Sequence, residues 1–215
     1  MSLEIFLPFI LIYLVFLGAL ISPGPDLMIT LRNTLGYSRR AGMFSAFGIG
    51  LGLVIHMAYC VGGLGILITQ FPVMLEIIKY GGAAYLIYMG VQSLRSKGIA
   101  PNDIRRAAVA HNTKAAKSDR AAFINGFIAN LLNPKATLFF LALFSQMIDP
   151  SAPLSLVIIF AVSCVLTAVI WFSFVAIVMG AQNVRTLYAR GSVWIDRVFG
   201  VLFIVVGLSM AFYQL

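Results

Sequence analysis

The sequence predicts an all-α membrane protein: six transmembrane helices arranged as two inverted three-helix repeats, with the first and fourth helices broken at the midplane. Three observations carry this. The chain is 61% hydrophobic and 10% charged, with a mean hydropathy of +0.99, whereas soluble domains are roughly 45–50% apolar. Its long apolar runs are separated by loops that are alternately basic and almost uncharged. The first and fourth runs are each interrupted at a proline, Pro25 and Pro134, which lie 109 residues apart (134 minus 25), close to half of the 215-residue chain.

The first span is expected over Leu7 to Leu35. Its head, Met1-Ser2-Leu3-Glu4, has an acid where a signal peptide needs bases, and no small-x-small site follows, so a retained span is predicted. It exceeds the ~20 residues of a straight transmembrane helix. Ser22-Pro23-Gly24-Pro25-Asp26 interrupts it. Prolines bring no backbone donor, so the freed carbonyls need protein, water or solute rather than lipid. Asp26 lies at that break, and a carboxylate at mid-bilayer costs about 2.5–3.5 kcal/mol on insertion scales, which marks it as functional.

Arg32, Arg39 and Arg40 form the next basic turn. The second span, from Ala41 to about Ile68, holds His56 and the spaced glycines Gly48, Gly50 and Gly52, which permit close helix contact, within the chain or in a homodimer. After a turn at Phe71-Pro72, the third span covers Leu75 to Leu94, with Glu76 and Lys79 at its outer end, three apart and so spaced to pair, though surface anchoring is the preferred role. The hydrophilic segment from Arg95 to Arg120, expected to be partly helical over Asn102 to Lys117, divides the chain: 1–94 the first repeat, 95–120 a basic cytoplasmic loop, 121–215 the second repeat. The fourth span, Ala121 to Ile148, is interrupted by Asn133-Pro134-Lys135. A turn at Asp149-Pro150-Ser151-Ala152-Pro153 leads to the fifth span, Leu154 to about Gly180. A loop with Arg185 and Arg190 precedes the sixth, Trp194 to Tyr213.

Basic residues follow the first, third and fifth spans, so by the positive-inside rule both termini face outward. Three spans per half is an odd number, which inverts the second half relative to the first. Interrupted segments at corresponding positions of two such halves point to a solute site near the midplane. The net charge of +8 resides in these loops, where it sets orientation and touches anionic lipid rather than nucleic acid. Cys60 and Cys164 lie within apolar runs as small hydrophobes.

Opposite charges at the two breaks suit a zwitterion. Lys135 and helix N-terminal donors match a carboxylate, Asp26 and freed carbonyls match an ammonium, and Asn130 and Asn133 can orient either group. Two other readings stand beside this: Asp26 carries a coupling proton, or Asp26 and Lys135 form a structural pair that locks the halves together. For His56 a helix-to-helix hydrogen bond is preferred over a proton relay. No His-Glu-x-x-His or Gly-x-Ser-x-Gly motif is present, and no cluster of carboxylates or thiols lies at depth; an enzyme, a metal site and a cofactor are not predicted.

Six hydrophobic segments with Ser22-Pro23-Gly24-Pro25 in the first and Asn133-Pro134-Lys135 in the fourth resemble the lysine exporter (LysE) and homoserine/threonine exporter (RhtB) family over the whole chain. The resemblance implies secondary-active export of amino acids or their derivatives across the bacterial inner membrane, driven by proton antiport. It places functional weight on Pro23, Gly24, Pro25, Asp26, Asn133, Pro134 and Lys135. Threonine- or homoserine-like substrates are preferred to dibasic ones, since Lys135 would repel a second positive charge. The alternative is export of an inorganic ion or another small solute on the same scaffold.

Overall fold

A computed structural model describes residues 3–70, 72–100, 118–147 and 153–212, and these contain eight α-helices and no strand. They are α1 (Leu3–Ile21), α2 (Pro25–Gly36), α3 (Arg39–Gln70), α4 (Pro72–Arg95), α5 (Asp119–Leu131), α6 (Pro134–Met147), α7 (Leu154–Val178) and α8 (Gln182–Phe212). The expected helix over 102–117 and the turn at 149–152 lie outside the described residues.

The two predicted interruptions are present as sharp bends, 44° between α1 and α2 and 54° between α5 and α6. Helices α3, α7 and α8 are each long and apolar enough to cross a membrane, and each bent pair qualifies when counted as one span. The sequence predicts six spans; five candidates meet the test among the described residues. Helix α4 is not among them, because Glu76, Lys79, Gln92 and Arg95 dilute its apolar stretch.

The sixth element departs from expectation at its start. The segment with Arg185 and Arg190, predicted as a loop, is the first third of α8. It carries no proline, and Val184, Tyr188 and Ala189 pack on the apolar cluster around Leu27, Leu31, Ile49 and Phe172 while Gln182, Asn183 and Arg190 stay exposed. One-sided apolarity at helical spacing makes this an amphipathic turn-in rather than a linker.

Packing follows small residues. Helix α3 lies chiefly against α5 and α7, and α4 against α8 and α6. At the α3–α5 crossing, a Cβ on Gly48 would collide with the Phe123 carbonyl and one on Gly126 with the Ser45 carbonyl. The α4–α8 crossing repeats the device: a Cβ on Gly90 would meet Gly200 O at 2.6 Å and one on Gly200 would meet Gly90 O at 2.9 Å. In lipid, where apolar burial drives helices together only weakly, such backbone approach supplies the van der Waals contact that holds them. The spaced glycines of α3 thus serve internal contacts, Gly50 against Val169 and Gly52 against Asn130.

Two apolar clusters fill the interior. The larger joins α1, α3, α4, α6, α7 and α8 around Phe16, Leu86, Phe140, Leu143, Phe144 and Phe203; the smaller joins α2, α3 and α7. Both breaks lie among them.

Candidate functional site at the two helix breaks

Each break is the N-terminus of a half-helix, built in the same register. Gly24 is the N-cap of α2 with an extended backbone, Pro25 follows at N1 and Asp26 at N2, and Met28 N donates to Gly24 O at 3.0 Å. In α6, Asn133 stands before Pro134 and Lys135; its Oδ1 accepts from Lys135 N at 3.0 Å and its carbonyl from Thr137 N at 3.1 Å. Proline suits N1 because that N–H would be unpaired anyway, and an asparagine side chain there satisfies an orphan donor.

Proline at N1 has a cost one turn back. The carbonyls of Ile21 and Asn130, four residues before Pro25 and Pro134, lose their helical donors. Each has a partner on another helix, and Asn130 O also accepts from Asn133 N at 2.9 Å. Tyr188 Oη of α8 donates to Ile21 O at 2.8 Å, and His56 Nε2 of α3 lies 3.1 Å from Asn130 O. A carbonyl only accepts, so His56 carries its proton on Nε2, and in the neutral ring Nδ1 accepts from Tyr59 Oη at 2.6 Å. His56 is 1% exposed and stacks on Phe140, outside the cavity linings described below.

The charges at the two N2 positions border one cavity with about 50 Å³ of free space, lined by Asp26, Asn130, Asn133 and Lys135 together with apolar groups such as Phe16 and Phe172. That is room for a few water molecules, so a solute the size of an amino acid enters only as the cavity widens. Asp26 Oδ2 accepts from Asn130 Nδ2 at 3.0 Å. Asp26 Oδ1 and Asn130 Oδ1 are buried with no hydrogen-bond partner in the protein. A bare carboxylate oxygen is matched by a cationic donor, because leaving a buried acceptor unpaired costs about 1–3 kcal/mol; Asn130 Oδ1 lies against Gly52 of α3.

Lys135 is the anomaly. An acid at Asp26 complements the positive end of α2, but a lysine at the first turn of α6 opposes that helix's dipole. Among the described residues its ammonium makes no ion pair within 4.0 Å; the pair found there is Arg40–Asp119 at 2.8 Å, on the surface. Asp26 and Lys135 therefore share a cavity without a direct salt bridge, and Glu76 and Lys79 likewise do not pair. Lys135 Nζ instead lies at the opposite break, 3.6 Å from where a Cβ on Gly24 would stand.

Its electrostatic partners include a residue the sequence reading did not single out. Asp196, in the middle of α8, is 2% exposed and interacts with Lys135, as does Asp26. Asp196 Oδ1 accepts from Ser22 Oγ at 2.8 Å and Oδ2 from Ser96 Oγ at 2.5 Å. Ser96 Oγ also accepts from Gly98 N at 3.0 Å, where Gly98 takes φ 68° and turns the chain so that Ile99 N reaches Ser192 Oγ at 2.9 Å. The available signal was an acid inside the last apolar run. Of the predicted site residues, the structure gathers Asp26, Asn130, Asn133 and Lys135 around one cavity, with Gly24, Pro25 and Pro134 as the backbone that aims them. Pro23 lines a second cavity, and His56 stands behind the second break.

A family model described as "LysE type translocator" matches residues 17–214. The chain is 32% identical to the threonine efflux protein of Escherichia coli (strain K12), over 94% of this chain and 96% of that protein. It is 31% identical to the homoserine/homoserine lactone efflux protein of Salmonella typhi, over 89% of each. A Bacillus subtilis protein called uncharacterized membrane protein YrhP is 28% identical over 88% of this chain and 91% of its own length. No solved structure matches.

Proposed function

The chain belongs to the family of LysE type translocators, and from that premise we propose that it is a secondary-active exporter of small amino acids or their derivatives, of the threonine and homoserine class, working by proton antiport in the bacterial inner membrane. The observation that carries this is the pair of oppositely charged N2 residues on one cavity, with one oxygen of the acid unpartnered. An α-amino zwitterion matches its charges pole to pole once the cavity has widened to admit it. Its ammonium reaches Asp26 Oδ1; its carboxylate reaches Lys135 and the N-terminal end of α6. The apolar wall accepts a short aliphatic or hydroxylated side chain. The threonine and homoserine efflux proteins named above support that substrate class.

Alternating access follows from two inverted repeats, 1–94 and 121–215, joined by the basic loop and with both termini outside. Three features support the repeat. Pro25 and Pro134 share a register with Ile21 and Asn130, α3 packs on α7, and α4 packs on α8, the second and third spans of each half. Asp26 serves as the proton site in this scheme: solute departure leaves its carboxylate with one hydrogen bond and a bare oxygen, the condition under which proton uptake is favoured.

The test is counterflow of labelled L-threonine and L-homoserine in vesicles reconstituted with the purified protein, with and without an imposed pH gradient. Uptake that accelerates with the gradient and disappears in Asp26→Asn is the expected result. Counterflow of neither amino acid would overturn the substrate class, and flux indifferent to the gradient would remove the antiport.

A further inference from the structure

Lys135 borders two cavities, and the second is not the one discussed so far. It holds about 320 Å³ and is far more polar, lined by Ser22, Tyr88, Gln92, Ser96, Lys135 and Asp196 among others. Its wall follows α4 from Tyr85 to Ser93 and continues to Ser96, at the end that leads into the basic segment, and Lys135 also borders it. Asp196 stands on its side with no cation within 4.0 Å among the described residues. The two hydroxyls that hold its oxygens, Ser22 and Ser96, come from the first break and from the end of α4.

We propose that this second cavity is an access subsite for the same zwitterionic amino acids, its ammonium pole Asp196 and its carboxylate pole Lys135, reached from the side of the basic loop. The inference rests on the exporter reading above. With one lysine between two acids, the two subsites cannot both hold a carboxylate on it, so occupancy is sequential. A solute taken up on the basic-loop side meets Asp196 and Lys135 first. It then exchanges Asp196 for Asp26 while its carboxylate stays on Lys135. That exchange explains why a lysine is kept at a helix N-terminus with an acid on either side: each acid lowers the cost of the unfavourable dipole, and neither is close enough to seal the cation in a salt bridge. Ser22 belongs to the first break, so occupation of Asp196 is felt directly by the segment that carries Asp26.

Asp196→Asn tests this, because asparagine keeps the shape and can still bond both serines, removing the charge alone. Efflux of L-threonine from vesicles, or of L-homoserine if it gives the larger wild-type counterflow, is measured against internal concentration in the wild type, Asp196→Asn and Asp196→Glu. Thermal unfolding in detergent verifies that each variant is folded. The expected result for Asp196→Asn is a KM raised about tenfold or more, the size of a lost charge-assisted contact, with the maximal rate within about threefold and partial recovery of KM in Asp196→Glu. A purely structural Asp196 would leave KM unchanged in Asp196→Asn, and that result would overturn the subsite while the exporter reading stands. A wild type that moves neither amino acid would remove the exporter reading and this one with it.

Discussion

Tyr188 donates its hydroxyl to the carbonyl of Ile21 at 2.8 Å, the carbonyl that Pro25 deprives of its helical donor. His56 supplements Asn130 O in the same way: Pro134 removes its i+4 donor, Asn133 N bonds it at 2.9 Å, and His56 Nε2 adds a contact at 3.1 Å. A broken helix in lipid is tolerable only when such freed groups are met inside the protein, and here each break is closed by one aromatic side chain from a distant span. The breaks and their caps are one unit.

Removing a cap should therefore cost stability. Tyr188→Phe leaves the Ile21 carbonyl without this donor and should lower unfolding free energy by about 1–3 kcal/mol, whereas His56→Leu leaves Asn130 O its bond from Asn133 N and should cost about 1 kcal/mol. His56→Gln, which can still offer an N–H to Asn130 O, should lose less. Chemical denaturation in detergent measures this; a Tyr188→Phe protein as stable as wild type would mean that water, not Tyr188, satisfies Ile21.

Pro134→Ala separates the fold from the function. It restores an N–H at position 134 that can return to Asn130 O, competing with His56 and favouring a straighter α5–α6. Stability should hold or rise, while flux should fall at least about tenfold, some 1.4 kcal/mol of lost solute stabilisation, because Lys135 is re-aimed. Transport at the wild-type rate would show that the 54° bend is dispensable.

These breaks were legible in the sequence because proline chemistry is local: Ser22-Pro23-Gly24-Pro25 and Asn133-Pro134-Lys135 declare a lost donor without reference to the rest of the chain. What closes them was not legible. Tyr188 and Ile21 are 167 positions apart, and their meeting is set by packing. Asp196 was missed for a related reason. With the residues before Trp194 taken as a loop, it stood near the edge of a span; as part of an α8 that begins at Gln182 it lies in the protein interior. The amphipathic spacing of Val184, Tyr188 and Ala189 held that information, masked by two arginines.

The α3–α5 crossing gives a packing prediction. Gly48→Ala forces a methyl into the Phe123 backbone and Gly126→Ala into that of Ser45, each a small-to-large change expected to cost about 1–3 kcal/mol. Once one has pushed the helices apart the second should add less than its own cost, since adjacent sites are not additive. Denaturant unfolding of the single and double variants measures both points; strictly additive losses would indicate that the helices adjust independently at the two sites.

By contrast, the Arg40–Asp119 bridge should matter little. The Arg40 side chain is 75% exposed, and pairs of that kind contribute about 0–1 kcal/mol. Arg40→Ala should leave stability within about 1 kcal/mol and flux unchanged; a larger loss would reveal a role in joining α3 to α5 that exposure alone does not suggest.

The central claim is that opposite charges at the two breaks bind and move a small zwitterion. It is tested most directly by the free amino acids released from cells fed mixed dipeptides, comparing intact protein, Lys135→Met at matched expression, and empty cells. The account predicts that one or two amino acids, threonine or homoserine among them, accumulate outside only with the intact protein. Identical profiles in all three would contradict it and shift attention to export of an ion or another solute on the same scaffold.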